Sequence, residues 1–280
     1  MHGSRRAFRW LECDWAVGSM SGAYRDGRDT AKLRPEYVVL LHGLGRTSYS
    51  MTLLAWRLRR TGFHVLNLGY PSRRHRIERL AELVGTALER VGFVLTDRSG
   101  APPPSTAMPV HFVTHSMGGI VLRALLKRHC FAAAPTGQDA RLGRVVMLAP
   151  PNRGSELVDR LRHFPPFRWI NGPAGLQLGT DSSSLPLALG KVDFELGVIA
   201  GTGSVNPLMS RVFPGANDGK VSVERARVEG MKELLVVREN HTFIMAQSST
   251  AEMVTRFLRQ GRFIDSSSTE SRSDVSVESS

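Results

Sequence analysis

The chain has 280 residues, 41% of them hydrophobic, which is enough to bury the core of a single α/β domain. No window of about 18 or more apolar residues occurs, which argues against a membrane-spanning helix. The net charge of +12 comes from Lys and Arg residues that are spread along the chain and form no basic run with interleaved aromatics. We therefore expect no nucleic-acid partner, although the charge is compatible with weak association with an anionic membrane surface.

The first 33 residues are mostly polar, and we assign 1–33 to an N-terminal extension without predicted elements. The first ten residues are basic but lack the apolar central region of a secretory signal, which predicts a cytoplasmic location. Cys13 and Cys130 have no spacing typical of a metal or redox site.

Strands and helices alternate from residue 37 onward. Continuous apolar runs predict buried strands, and apolar residues at i, i+3, i+4 spacing predict helices. The predicted strands are 37–41, 64–68, 110–115, 144–148, 194–199 and 234–237. The predicted helices are 51–60, 77–91, 117–130 and a last one that opens at the capping box Ser249-Thr250-Ala251-Glu252 and stops at Gly261. This alternation predicts an α/β fold over 34–264, with a mainly parallel central sheet and helices on both faces.

The alternation breaks after the fourth predicted strand. Residues 151–190 contain the pairs Pro165-Pro166 and Gly172-Pro173 and a run of serines at 182–184. Their apolar residues follow no period. They predict either a small cap insertion at the carboxyl edge of the sheet or an irregular connection with its own small core. The tail 265–280 is Ser-rich and polar, and we predict that it is disordered.

A serine lies where a predicted strand meets a predicted helix, in Thr114-His115-Ser116-Met117-Gly118-Gly119. A sharp turn at this point exposes the Ser Oγ beside the positive end of the helix, as a nucleophile requires. Thr114 replaces the first Gly of the G-x-S-x-G pattern, and this small residue should still fit. The alternative is that Ser116 only caps the helix, since Ser is a favoured cap.

The first predicted strand ends in a glycine-rich turn, His42-Gly43-Leu44-Gly45. Such a turn upstream of the serine is where an oxyanion hole is built, with one backbone N–H from the turn and one from the residue after the nucleophile. This predicts Leu44 and Met117 as the two donors. The alternative is a simple connection between a strand and a helix.

A serine nucleophile needs a histidine base, and in this topology the chain order is serine, acid, histidine. His241 satisfies the order, since it follows the last predicted strand and precedes the closing helix. His115 is next to the nucleophile and is expected to point away from it. The remaining histidines precede the turn at Ser116, lie in the helix that follows it, or lie in the proposed cap. They are His2, His42, His64, His75, His111, His129 and His163.

The acid that holds the base is predicted to be Asp218, in a turn between the last two predicted strands. Asp218 has the correct order and lies at the correct edge of the sheet, although an Asp-Gly pair also favours a turn on its own. Asp193 and Glu195 lie at the start of a strand, at the wrong edge. Glu239 is a further acidic candidate, and Asp181 is the second choice after Asp218.

These segments together resemble the α/β-hydrolase superfamily, and within it the lipase/esterase branch that includes small bacterial triacylglycerol lipases. The matching segments are the turn 40–45, the elbow 114–119, the turn 217–221, the late His241, and Leu148-Ala149-Pro150-Pro151 with the residues that follow. The resemblance covers roughly residues 36–260. It implies hydrolysis of acyl esters, and it does not identify the substrate.

The sequence therefore predicts a serine hydrolase that cleaves carboxylic, lipid-like esters through an acyl-enzyme on Ser116. This reaction requires no cofactor and no metal, and its partner is a small-molecule or lipid ester. One alternative is an acyltransferase or amidase that uses the same triad. The other is a non-catalytic binding module on a hydrolase scaffold.

Overall fold

The computed structural model describes residues 36–98, 103–132, 139–203, 215–264 and 276–279. The predicted N-terminal extension, 1–33, lies outside these residues, and so does most of the predicted disordered tail. Residues 276–279 of that tail instead form a strand at the edge of the sheet, which differs from the prediction. An added strand satisfies backbone N–H and C=O groups that the last parallel strand would otherwise leave unpaired.

A mainly parallel sheet forms the centre of the described chain, as predicted. Its strands are β1 (Tyr37–Leu41), β2 (His64–Leu68), β4 (Met108–His115), β6 (Ala140–Leu148), β7 (Leu196–Gly203), β8 (Glu233–Asn240) and β9 (Ser276–Ser279), in the order β2-β1-β4-β6-β7-β8-β9. Only the pairing of β8 with β9 is antiparallel. A separate antiparallel pair joins β3 (Leu95–Asp97) to β5 (His129–Phe131).

Helices connect the strands and cover the sheet. They are α1 (Thr52–Arg60), α2 (Ile77–Arg90), α3 (Met117–Arg128), α4 (Glu156–Leu161), α5 (Pro165–Leu176), α6 (Leu185–Ala188), α7 (Val223–Ala226) and α8 (Ser248–Gln260). The predicted end of α8 at Gly261 is confirmed, but the capping box is wrong: the helix begins at Ser248 and no side chain caps it. A buried 3₁₀ turn, Ile244–Ala246, leads into α8, so packing and not a capping side chain fixes its start.

Two apolar cores lie on opposite faces of the sheet. Val39 and Leu41 face the core that contains α2 and α3, while Val38 and Leu40 face the core that contains α1 and α8. All four side chains are fully buried. Burial on both faces explains why the strand is a continuous apolar run, and it confirms the predicted fold class.

Residues 151–190 connect β6 to β7 and contain α4, α5 and α6. The buried Arg123 of α3 holds both ends of this insertion, because it donates to the carbonyl oxygens of Asn152 (3.0 Å), Pro186 (3.0 Å) and Gly190 (2.6 Å). The insertion is thereby tied to the helix that follows Ser116. Among the described helices, none combines the length and the apolar character needed to cross a lipid bilayer.

Candidate active site

Ser116 lies at the apex of the turn between β4 and α3. Its φ of 53° and ψ of −127° are unusual for a residue with a side chain, and its N–H donates to the carbonyl oxygen of Leu148 (2.8 Å). Strain of this kind costs about 1–3 kcal/mol and persists where the surrounding structure enforces it. Every residue from 110 to 126 is buried except Ser116. The fold therefore buries both flanks of the turn and leaves its serine accessible.

Gly118 allows the elbow to pack directly on the end of β1. A Cβ at this position would lie 2.6 Å from the carbonyl oxygen of Leu41 and 2.8 Å from that of His42. Any side chain at position 118 would push the turn after β1 away from the serine. This contact is the physical reason for a glycine two residues after the apex.

His241 contacts Ser116 across 125 residues of sequence. Its Nε2 lies 2.9 Å from the Ser116 Oγ, and its Nδ1 lies 2.7 Å from the Asp218 Oδ2. A carboxylate can only accept, so Nδ1 carries the proton and Nε2 presents a lone pair to the serine hydroxyl. His241 and Asp218 are both almost fully buried, which protects this line of hydrogen bonds from water. In this arrangement the imidazole can take the proton of the serine hydroxyl while the carboxylate orients the ring.

The second oxygen of Asp218 fixes the carboxylate in place. Oδ1 accepts from the N–H groups of Lys220 (3.0 Å) and Val221 (2.8 Å). In addition, the Asp218 carbonyl oxygen accepts from the N–H of His241 (3.1 Å). Asp218 and His241 are thus joined by backbone as well as by side chains.

The other acidic candidates lie elsewhere and have their own partners. Asp193 and Glu195 precede the amino end of β7, at the edge of the sheet opposite Ser116, as predicted. Asp181 lies in the insertion between α5 and α6. Their ion pairs are Asp181 with Arg162 (3.1 Å), Asp193 with Arg98, and Glu195 with Arg144 (2.8 Å). Glu239 is near the carboxyl end of β8 and bonds to Gln247, and burial raises its pKa.

The turn after β1 lies against Ser116. A Cβ built on Gly43 would be 3.1 Å from the Ser116 Cβ, so Gly43 packs directly on Ser116. Leu44 is the next residue of this turn. Met117 is the first residue of α3, where backbone N–H groups have no partner within the helix. Within the described part of the chain, neither the Leu44 N–H nor the Met117 N–H donates to a protein acceptor. Both are available to a negatively charged oxygen.

Tyr70 and Ser72, from the loop after β2, hold this turn. The rings of His42 and Tyr70 stack with centroids 4.1 Å apart, and the Tyr70 hydroxyl donates to the His42 carbonyl oxygen. The N–H of Tyr70 donates to His42 Nε2 (3.2 Å), and the N–H of Gly45 donates to Ser72 Oγ (3.1 Å). Burial is the main reason that the pKa of His42 falls to about 4, so its ring is neutral near pH 7.

His115 has a contact that the sequence did not reveal. As expected, its side chain makes no hydrogen bond to the Ser116 hydroxyl within the described residues. Its Nε2 instead lies 2.9 Å from the carbonyl oxygen of His241. The two imidazole rings are 5.0 Å apart. The turn around Ser116 therefore contacts the loop of His241 through the residue immediately before Ser116. Across the described residues, no group of three or more His, Cys, Asp or Glu side chains is arranged to hold a metal ion.

Comparisons with known proteins agree with this architecture. A family model described as "Alpha/beta hydrolase family" matches residues 38–252. No curated protein sequence matches the chain. Solved structures with the same fold include the lipase BlEst2 of Bacillus licheniformis in its propeptide form, with a TM-score of 0.55 and 16% identity over 82% of this chain. The chain spans about half (52%) of the length of that protein.

Two further solved structures give the same picture. The mature form of the Bacillus licheniformis lipase has a TM-score of 0.52 and 17% identity, and the alignment covers 84% of this chain and 96% of the lipase. The metagenomic carboxyl esterase MGS0156 has a TM-score of 0.53 and 16% identity, with 80% of this chain and 70% of the esterase covered. At these identities the likeness extends to the fold and not to the substrate.

Proposed function

The chain belongs to the alpha/beta hydrolase family, and from this premise we propose that it is a serine hydrolase that cleaves carboxylic esters. The observation that carries the proposal is the unbroken line of hydrogen bonds from Asp218 through His241 to Ser116. The two N–H groups without acceptors, on Leu44 and Met117, support the same reaction because a developing oxyanion needs such donors.

The reaction proceeds through an acyl-enzyme. Ser116 Oγ attacks the ester carbonyl carbon while its proton passes to His241 Nε2, and Asp218 stabilises the imidazolium that forms. The Leu44 and Met117 N–H groups hold the tetrahedral oxyanion. As this intermediate collapses, His241 gives its proton to the leaving alcohol. Water, deprotonated by His241, then attacks the acyl-enzyme, and the acid is released with Ser116 restored.

Lipid-like esters are the substrate class that the insertion favours, and we assign α4 to α6 as a cap. A Cβ on Gly175 of α5 would lie 3.0 Å from the Leu44 side chain, so the insertion borders the oxyanion turn. The same helix exposes Trp169 and Ile170, and Phe164 precedes it. Exposed apolar side chains on the insertion, in a chain of net charge +12, suit weak association with an anionic lipid surface. A cytoplasmic location stays a prediction.

The test is hydrolysis of 4-nitrophenyl esters from short to long acyl chains by wild type and Ser116→Ala. We expect the variant to lose about a thousandfold or more in kcat, because triad members act as a unit. Ser50→Ala is the matched control, since Ser50 is a partly exposed serine that bonds only to Thr47. Near wild-type hydrolysis by Ser116→Ala would overturn the proposal.

Two further measurements separate the alternatives. A fluorophosphonate probe should label wild type and fail to label Ser116→Ala, whereas no labelling and no turnover would indicate a binding module. Product analysis with added alcohol, and assay of a 4-nitroanilide in place of the ester, distinguishes hydrolysis from acyl transfer and from amide cleavage. Ester hydrolysis should exceed both.

A further inference from the structure

Two cationic residues lie next to the proposed triad. Arg46 follows Leu44 by two residues, and its Nη2 donates to the carbonyl oxygen of Thr242, the residue after His241 (3.3 Å). Lys220 follows Asp218 by two residues, and its N–H binds the Asp218 carboxylate (3.0 Å). The Arg46 side chain therefore joins the oxyanion turn to the loop of His241, and the backbone of Lys220 is bonded to Asp218.

Backbone contacts hold both residues in place. The Arg46 N–H donates to the carbonyl oxygen of Gly43 (3.3 Å), within the turn that borders Ser116. The Lys220 carbonyl oxygen accepts from the Ser155 hydroxyl (2.8 Å) at the start of the insertion. The main chain of Arg46 is thus held within the oxyanion turn, and that of Lys220 is held by the start of the insertion.

Neither cation has a carboxylate partner within the described residues. Asp218 is close to Lys220, but its two oxygens already bind His241 and two backbone N–H groups. The segment 204–214, which leads from β7 to the Asp218 turn, contains no Asp or Glu. Two arginines of the insertion pair with acidic residues, Arg162 with Asp181 and Arg153 with Glu224.

The two charges also act on each other and on the site. Burial is the main cause that lowers the pKa of Lys220, the charge of Arg46 is the second, and Asp218 opposes them. The charge of Arg46 is a lesser cause of the lowered pKa of His115, after burial and His241. Two cations whose charges disfavour each other favour a bound anion, because the anion compensates both charges.

We propose that Arg46 and Lys220 bind an anionic group, a carboxylate or a phosphate, that is carried by the ester on which Ser116 acts. This inference rests on the proposed function, which specifies that an ester bond is cleaved. It adds that the ester carries a negative charge. The anionic group can belong to the acyl chain or to the alcohol. Charge-assisted hydrogen bonds from a guanidinium and an ammonium are the strong contacts that such a group makes.

The experiment compares kcat/KM for esters matched in length and differing in charge. The acyl-side pair is 4-nitrophenyl pentanoate and mono-4-nitrophenyl glutarate, and the alcohol-side pair is phenyl butyrate and its 4-phosphate derivative. Wild type should prefer the anionic member of one pair by about tenfold or more, and that pair identifies which side carries the charge. Arg46→Gln and Lys220→Gln should each lower this preference by about tenfold. Higher salt should also lower it.

Lys191→Gln is the matched control, because Lys191 is an exposed lysine that precedes the amino end of β7, at the opposite edge of the sheet. Its ratio of anionic to neutral kcat/KM should equal that of wild type. A wild-type ratio near one for both pairs would overturn the proposal. So would an equal loss on neutral and anionic esters in both variants, since the cations would then act on the oxyanion.

A binding measurement keeps the two proposals separate. Calorimetry with glutarate and with phenyl phosphate, on Ser116→Ala and on the same variant with Arg46→Gln added, measures anion binding without turnover. Binding that Arg46→Gln weakens supports the anion site even if no ester is cleaved, in which case only the proposed function fails. Ester hydrolysis that depends on Ser116, without anion preference or anion binding, leaves the function and removes the anion site.

Discussion

The imidazole Nε2 of His115 lies 2.9 Å from the backbone carbonyl oxygen of His241. A carbonyl oxygen only accepts, so Nε2 carries the proton and His115 donates. Burial is the main cause that lowers the pKa of His115 well below its ordinary value, and the ring is therefore neutral. The residue before the proposed nucleophile thus holds the main chain of the proposed base, and we propose that His115 is a positioning residue.

Replacing His115 tests this role. His115→Phe keeps a ring of similar size and removes the donor, so we expect kcat to fall about ten- to hundredfold while KM changes little, because a small displacement of the base weakens proton transfer. His115→Gln keeps an N–H donor and should recover most of the loss. Steady-state kinetics on a short-chain ester measures both. Equal kcat in wild type and both variants would contradict the positioning role.

The elbow gives a second prediction through its two glycines. A Cβ at Gly118 would meet backbone oxygens at 2.6 and 2.8 Å, and backbone cannot move aside cheaply. Gly118→Ala should therefore lower the free energy of unfolding by about 3 kcal/mol or more. At Gly119 the nearest atom is the flexible Met147 sulfur at 3.0 Å, and Ala favours a helix, so Gly119→Ala should stay within about 1 kcal/mol of wild type. Urea unfolding of both variants checks the contrast, and equal losses would refute it.

The features that the sequence revealed are those with local causes. The run from Tyr37 to Leu41 is apolar because both faces of β1 are buried, and the elbow around Ser116 needs small residues where it crosses that strand. Ser116, Asp218 and His241 meet at one edge of the sheet because every parallel strand delivers its following loop to that edge. These causes act within a few residues or follow from the topology.

The contacts that the sequence did not reveal join segments far apart in the chain. His115 meets His241 across 126 residues, and Arg46 meets Thr242 across 196. No spacing rule connects such positions, because their distance depends on how two loops settle against each other. The predicted start of α8 was wrong for a similar reason. The packing of Ile244–Ala246 outweighs the local preference of Ser249 for a cap position.

Buried histidines should make the protein sensitive to acid. Burial is the main cause that lowers the pKa of His42 and of His111 to about 4, and it lowers the pKa of His115 as well. In the unfolded chain these groups take up protons near pH 6.5. Below that pH the unfolded chain therefore binds protons that the folded chain does not, and the free energy of unfolding falls between pH 6.5 and about 4. Above pH 6.5 these groups contribute no slope.

Urea unfolding at a series of pH values measures this slope, which is at most about 1.4 kcal/mol per pH unit for each histidine. His111→Asn provides a matched comparison, since an Asn oxygen can accept the Arg144 N–H in place of the imidazole nitrogen. Its slope should be smaller than that of wild type by about one proton. A slope unchanged by this substitution would contradict the assignment of His111.

The exposed aromatic side chains of the insertion give the last prediction. Trp169 is 87% exposed, and Phe164 is 57% exposed. Insertion of one such side chain into a lipid surface contributes about 2 kcal/mol, or about thirtyfold in the partition coefficient. Trp169→Ser should therefore weaken binding to vesicles of an anionic phospholipid and lower the ratio of long-chain to short-chain ester hydrolysis. Vesicle sedimentation at low and high salt, with the ester series in parallel, measures both quantities.

Trp56 is the comparison residue for this test. It is 50% exposed on α1, and the guanidinium of Arg60 covers its ring at 4.9 Å, so it presents less free apolar surface than Trp169. If the insertion is the contact surface, Trp56→Ser should change vesicle binding far less than Trp169→Ser. Equal losses would indicate that binding depends on apolar surface in general. No loss in Trp169→Ser would show that the insertion does not contact lipid, and the exposed aromatics would then have to serve a contact other than a membrane.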